Sequence, residues 1–349
     1  MTNQLSYQAA YGDASLAIAA NKYQTAGYKS ETIASKAGGI FCQGVSPHQA
    51  LERADLNFTA EKRELFYMGS DGYRVINTHC SIVNSKNDAF LGSFKSGYEV
   101  VQHSQLALIL ERLGDSAEIE QVLSIRGGAK AYITAKVAVG SIGGDEVVRH
   151  LHLFNSHDGS SSFGAMFSDT RLYCANQLGT ITRGKSSDEL LRHGHTSGIH
   201  SFISNLVSRI DTEKGLFLSE MDALAKLRSM PTDTDLNRRI LEITFKSDLA
   251  KPIKDKRSKE LRQRVLEDLP IYAKVVENFV TNAGIATDSE EVNNSVYRLF
   301  NATTQALTHG FVRATRDPIG QARARFESLM GGTAAAQIDS CKQACLALV

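Results

Sequence analysis

Lys130-Ala131-Tyr132-Ile133-Thr134-Ala135-Lys136-Val137-Ala138-Val139 alternates with period two. In an extended chain Ala131, Ile133, Ala135, Val137 and Val139 point to one side, and Lys130, Tyr132, Thr134 and Lys136 to the other. The spacing predicts a strand with one face on a core and one face in water, as in antiparallel sheets. Upstream, Glu118 to Ile125 is the expected hairpin partner across Arg126-Gly127-Gly128, whose glycines permit positive φ. Downstream, Val147 to Phe154 reads as another strand, and Ser162 to Cys174 supplies one or two more.

Further out, a second period-two region starts at Gly72, with Tyr73, Val75, Cys80 and Ile82. It pairs with Phe90 to Phe94 across the polar turn Asn84-Ser85-Lys86-Asn87-Asp88. Tyr98 to Val101 reads as a short extended piece. Ser104 to Leu113 has Leu106, Leu110 and Leu113 on one helical face, with Gly114 as the stop. After about Asp188 the strand signal nearly ends. Helical spacing covers Ile199 to Ile210, Leu216 to Leu227, Leu236 to Thr244, Leu261 to Val280, Glu291 to Leu307 and Ala322 to Leu329. The expected fold is therefore α+β: an antiparallel sheet with packed helices in the N-terminal two thirds and a helical C-terminal part. The expected divisions are an N-terminal arm or short helices over 1–60, an α+β core domain over 61–211 and a helical region over 212–349.

Composition narrows the function classes. The 349 residues carry 39 Lys plus Arg against 38 Asp plus Glu, so any nucleic-acid interface must be a local patch rather than a global field. Hydrophobic residues at 42% and only five prolines argue against disorder and collagen-like folds. Cys42, Cys80, Cys174, Cys341 and Cys345 are odd in number and form no CxxC pair, which fits a reduced compartment. The start at Met1 has no basic segment leading into an apolar run, and no stretch reaches the length of a membrane span. The expectation is a cytoplasmic protein with no membrane partner. No GxxxxGK[ST] motif occurs, which argues against an ATP motor.

Chemistry concentrates in Arg149-His150-Leu151-His152-Leu153-Phe154-Asn155-Ser156-His157-Asp158-Gly159-Ser160-Ser161. On a strand His150 and His152 share a face. With His157 and Asp158 in the following turn, they form a candidate set for a divalent metal, the one cofactor the sequence admits. The competing reading is a turn in which Asn155, Ser156 and Asp158 satisfy backbone NH groups. Cys174 with His157 and Asn176 is the sole candidate for a nucleophile, base and orienting group. A basic face over the sheet is the third pattern. Arg126, Lys130, Lys136, Arg171, Arg183, Lys185 and Arg192, with His195, would neutralise phosphates, and Tyr132 or Tyr173 would stack a base. Lys246 to Arg264 adds eight positive charges in nineteen residues, either a phosphate-tracking strip or a wet helix laced with i,i+4 pairs.

Asn155 to Ser161, Arg171-Leu172-Tyr173-Cys174-Ala175-Asn176, His195-Thr196, Asn301-Ala302-Thr303-Thr304 with His309, and Arg325 to Gly331 together resemble the DUF932 family of phage and plasmid proteins. The family usually has Gln at the position of Ala175. The resemblance brings no assigned activity; it implies work in DNA maintenance, recombination or conflict with a host. The piece at Tyr98, the helix after it and the following hairpin also resemble, at the level of fold, single-strand annealing proteins of the Rad52 type. The expectation is a homo-oligomeric, non-enzymatic protein that binds single-stranded DNA for annealing or recombination. Asn155, Ser156 and His157 would shape its groove. The alternatives are a metal-dependent hydrolase or nuclease, and an assembly or inhibitor protein that binds a phage or host protein.

Overall fold

A computed structural model describes residues 39–142, 145–171, 177–181, 191–245, 267, 269–281, 294–309, 317–329 and 332–349. In chain order the elements are β1 (Ile40–Phe41), α1 (Pro47–Arg53), β2 (Ala60–Gly69), β3 (Gly72–Asn84), β4 (Phe90–Lys95), α2 (Ser104–Leu113), β5 (Glu118–Ile125), β6 (Lys130–Ile142), β7 (Asp145–Ser156), β8 (Phe163–Arg171), β9 (Gln177–Ile181) and β10 (Arg192–His193). Helices follow: α3 (Ile199–Gly215), α4 (Phe217–Lys226), α5 (Thr234–Thr244), α6 (Pro270–Val280), α7 (Val296–His309), α8 (Pro318–Leu329) and α9 (Thr333–Leu346). The fold is α+β, with antiparallel sheet and packed helices first and helices after. Among the described residues no helix is long and apolar enough to cross a membrane.

The main sheet runs β1-β5-β6-β7-β8-β10, with β9 also on β8, and every pairing is antiparallel. The β5–β6 hairpin closes through Arg126, Gly127 and Gly128, all at positive φ. Gly128 is required twice over, because a Cβ there would lie 2.7 Å from the Phe58 ring. Ala131, Ile133 and Ala135 pack with Leu151, Leu153, Phe163 and Phe167 against Leu106 and Leu110 of α2 and Phe202 and Leu206 of α3. Gly114, at φ +54, ends α2 as its sequence predicts. Tyr98 to Val101 is not a strand; its described ladder-like contact is a single Glu99 NH to the His195 carbonyl at 3.0 Å.

The expectation of a wet second face is overturned. Leu123, Ile125, Tyr132, Phe154 and Met166 pack against Leu307, Phe326, Leu329 and Ile338 of α7, α8 and α9. The sheet is thus the middle of three layers. Tyr132 takes the Phe326 ring edge-on at 5.1 Å between centroids, and Lys130 pairs with Glu327, so residues that read as solvent-facing by type are buried. A further cluster joins Ile142 and Val147 at the sheet end to Phe217, Met221, Leu224, Tyr297, Phe300, Cys341 and Cys345. Helix α9 contributes to both helical clusters through Cys341 and Cys345 in one and Ala334 and Ile338 in the other.

Strands β2, β3 and β4 form a separate three-stranded sheet. Its base is buried at Ala60, Cys80 and Ile82, but its outer end is exposed on both faces. Phe66 stands opposite Val75 and Met68 opposite Tyr73 on one face, with Tyr67 opposite Arg74 on the other. A two-stranded ribbon of this kind has no core of its own to cover those side chains.

Candidate functional site

The segment Asn155 to Ser161 leaves β7 and folds into a turn whose carboxylate is fully engaged. Asp158 accepts from the Ser160 NH at 3.0 Å, the Ser156 hydroxyl at 2.9 Å, Arg126 Nη1 at 2.6 Å and the Ser160 hydroxyl. Burial pushes its carboxyl up, but the bonds from Ser160, Ser156 and Arg126 outweigh that and hold it at about 2. Asn155 accepts from the Ser156 NH at 2.9 Å and donates to the Val101 carbonyl at 2.7 Å. The turn reading therefore holds for Asn155 and Asp158, which accept from the Ser156 and Ser160 NH groups, whereas the Ser156 hydroxyl donates to Asp158 instead.

The same segment delivers His157 into a buried group of rings. His103 lies 4.5 Å and His195 6.3 Å from it between centroids, with Phe58 at 6.5 Å. Phe94, Tyr98 and His195 stack in a row, 3.9 Å and then 4.8 Å apart. Asn155 donates to His103 Nδ1 at 3.1 Å, which leaves His103 Nε2 to donate to the Gly128 carbonyl at 2.8 Å. His195 Nδ1 donates to the Glu99 carbonyl at 3.0 Å, so its buried Nε2 carries a lone pair with no partner. Both ring nitrogens of His157 are buried without a partner. Desolvation drives His103 down to about 4 and His157 to about 2, and lowers His195 as well. This is a neutral imidazole cluster, able to accept hydrogen bonds but unsuited to gripping phosphates. Asn155, Ser156, His157 and His195, expected to line a groove, are buried.

The metal set is not brought together. His150 and His152 lie on the second face of the sheet, while His157 turns into the layer of α2 and Asp158 to Arg126. His150 pairs with Glu120 at 3.1 Å, and His152 bonds the Thr134 hydroxyl at 2.9 Å and the Ser168 hydroxyl at 2.7 Å. Burial and the neighbouring His150 lower His152 to about 3. Among the described residues no group of three or more His, Cys, Asp or Glu can hold a metal ion.

The basic face fares similarly. Lys130 and Tyr132 are 5% and 6% exposed beneath α8. Lys136 is engaged with Glu118 at 2.5 Å and Arg126 with Asp158, although both stay partly open to solvent, and Arg192 is exposed on β10. Arg171 ends β8; the structure does not describe its side chain. Arg183, Lys185, Tyr173, Cys174, Asn176 and the run from Lys246 to Arg264 lie outside the described residues.

Two assemblies escaped the sequence reading. Arg149, fully buried, holds Asp169 in a two-pronged pair at 2.7 and 2.8 Å, bonds Glu220 and the Glu213 carbonyl, and stacks 4.8 Å over Phe217. Lys342 of α9 closes the group at 3.6 Å from Asp169 and 3.5 Å from Glu220. Two cations and two anions so far apart in sequence carry no local signal. The second assembly is the exposed arm. Met68 and Tyr73 are 66% and 76% exposed, beside Phe66, Tyr67 and Arg74, with Lys62, Arg63 and Lys95 nearer the base of the sheet. Its signal, Leu65-Phe66-Tyr67-Met68 before Gly69-Ser70-Asp71-Gly72, is a hairpin with apolar strands, of which the period-two region from Gly72 is the second half.

No curated protein and no solved structure matches the chain. Residues 90–330, which include the turn, the three histidines of the imidazole cluster and helices α7 and α8 over the sheet, match the family described as Domain of unknown function (DUF932), and the chain belongs to that family.

Proposed function

We propose that the protein binds single-stranded DNA through the β2–β3 arm, and that it does so as an oligomer that presents the strand for annealing or recombination. The observation that carries this reading is the arm itself: exposed rings at Phe66, Tyr67 and Tyr73 with Arg74 among them at its outer end, and Lys62, Arg63 and Lys95 toward its base. Rings of this kind stack bases of any identity, and the cations track the backbone. Because Arg63 is partly neutralised by Glu61 and Asp88, and Arg74 by Asp71, stacking carries more of the affinity than charge does. The sheet face, covered by α7, α8 and α9, is not the contact surface.

The test is fluorescence anisotropy with labelled single- and double-stranded oligonucleotides, in chelator-treated buffer, with the mass of the protein measured in the same samples. Preferential single-strand binding that weakens on Tyr73→Ala supports the reading. Equal affinity for both forms, or no binding at low salt, refutes it.

A further inference from the structure

We propose that the C-terminal helices α7 and α8 hold inorganic hydrogen phosphate on Arg325 and Gln305, where the Arg325 side chain meets the α7 backbone. The inference is independent of the nucleic-acid reading and goes beyond it.

On α7, Asn301, Gln305 and Thr308 recur at i, i+4 and i+7, so they form one stripe, and all three are buried. Helix α8 reaches the end of this stripe through Arg325, whose Nε donates to the Thr308 carbonyl at 3.2 Å. The rest of that guanidinium is underused. Arg325 Nη2 is sealed from solvent and makes no hydrogen bond, and among the described residues Arg325 has no carboxylate partner. The acid two positions on, Glu327, is already engaged by Lys130. One turn before Thr308, Gln305 is 2% exposed, and neither its amide nitrogen nor its amide oxygen has a partner. Burial alone pulls the Arg325 guanidinium down to about 10, as expected where nothing nearby compensates its charge.

A desolvated guanidinium without an anion and a buried amide without partners are each costly; they persist where a ligand supplies what is missing. The missing pieces define the ligand. Arg325 and the Gln305 nitrogen require acceptors with negative charge, which a planar guanidinium takes best from an oxyanion. The Gln305 oxygen requires a donor. A hydrogen phosphate offers both charged oxygens and a P–OH group, whereas a simple carboxylate offers acceptors only.

The experiment is thermal unfolding of the full chain with inorganic phosphate at millimolar concentrations, ionic strength being matched with chloride, and with acetate as the parallel arm. Expected is a saturable rise in midpoint with phosphate and none with acetate. Arg192→Gln, a surface change, should keep the rise. Arg325→Gln should lose it, and Gln305→Leu should raise the half-saturating concentration at least about tenfold, the worth of one lost hydrogen bond to a charged group. Should Arg325→Gln fail to fold, equilibrium dialysis of labelled phosphate against Arg325→Lys, which keeps the charge and loses the fork, gives the same decision. An unsaturable rise, a rise of equal size in the Arg325 variants, an equal response to acetate, or no response would each overturn the proposal.

Discussion

Acid should unfold this protein in a pH range where most carboxylates are still ionised. His103, His152 and His157 sit in the folded chain at about 4, 3 and 2, all held down first by burial, against an ordinary value of 6.5. Because the folded pKa values are depressed, the unfolded chain binds more protons than the folded one below 6.5. The stability contributed by keeping these rings neutral is therefore fully present above about pH 7 and is lost as pH falls through 6.5. At pH 5.5 each ring in the unfolded chain is about nine-tenths protonated while the folded ones are nearly all neutral. The loss is about 1.4 kcal/mol per ring, or about 4 kcal/mol for the three. That is a large share of the roughly 5–15 kcal/mol typical of a folded domain. Asp158, held at about 2 against 3.8, adds its own loss only below about pH 4, so the window between is governed by histidine. Urea unfolding followed by circular dichroism at pH 7.5, 6.5 and 5.5 measures it. His157→Phe should remove about a third of the pH dependence. A stability that changes by less than about 1 kcal/mol between pH 7.5 and 5.5 would show that these rings are not buried neutral, and the imidazole cluster would be wrong.

Two further outcomes test other parts of the structure. On the arm, Tyr73→Ala should weaken single-strand binding by about 5- to 150-fold, the range for one lost base stack, and about three phosphate contacts should give a loss near 20-fold between 50 and 200 mM salt; anisotropy titrations read both. In the buried charge group, Asp169→Asn leaves Arg149 and Lys342 facing Glu220 alone and should cost about 3–5 kcal/mol in urea unfolding. Arg149→Lys should also fall below the wild-type value, because it keeps the charge but cannot make the two-pronged contact.

How much of this could be read in the sequence depends on where the determining contacts lie. Strands β5 to β8 and helix α2 were legible because their signal is local: alternation at Ala131, Ile133 and Ala135, leucines at helical spacing, and glycines at the turns. The covering of the second face was not legible. Lys130 looks wet by type, and its partner is 197 residues away at Glu327 of α8, beside the Phe326 that covers Tyr132. The histidines suffered from the same limitation. Imidazole suits metal, phosphate and core alike, and only position separates His152, which bonds two hydroxyls across neighbouring strands, from His157, which turns to the other side of the sheet. The turn at Asp158 was the exception, because a carboxylate two residues before a serine NH needs no distant partner to explain it.

The Lys130–Glu327 pair tests the three-layer arrangement most directly, because its two ends differ in solvent access. The Lys130 side chain is 7% exposed and that of Glu327 is 36% exposed. Removing the lysine with Lys130→Met leaves a carboxylate that can turn to water, and the long apolar stem is replaced by one of similar length. The cost should be about 1 kcal/mol or less, that of a surface pair. Removing the charge at the other end with Glu327→Gln strands an ammonium beneath α8. It must stay charged without a counterion or give up its proton, and the cost should reach about 3 kcal/mol. The double variant should recover most of that loss, since methionine leaves nothing to compensate. Urea unfolding of the three variants measures the cycle. Equal costs for the two single changes would mean that Lys130 is as wet as Glu327. Helices α7 to α9 would then not lie over β6, and the sheet face would again be free to meet a ligand.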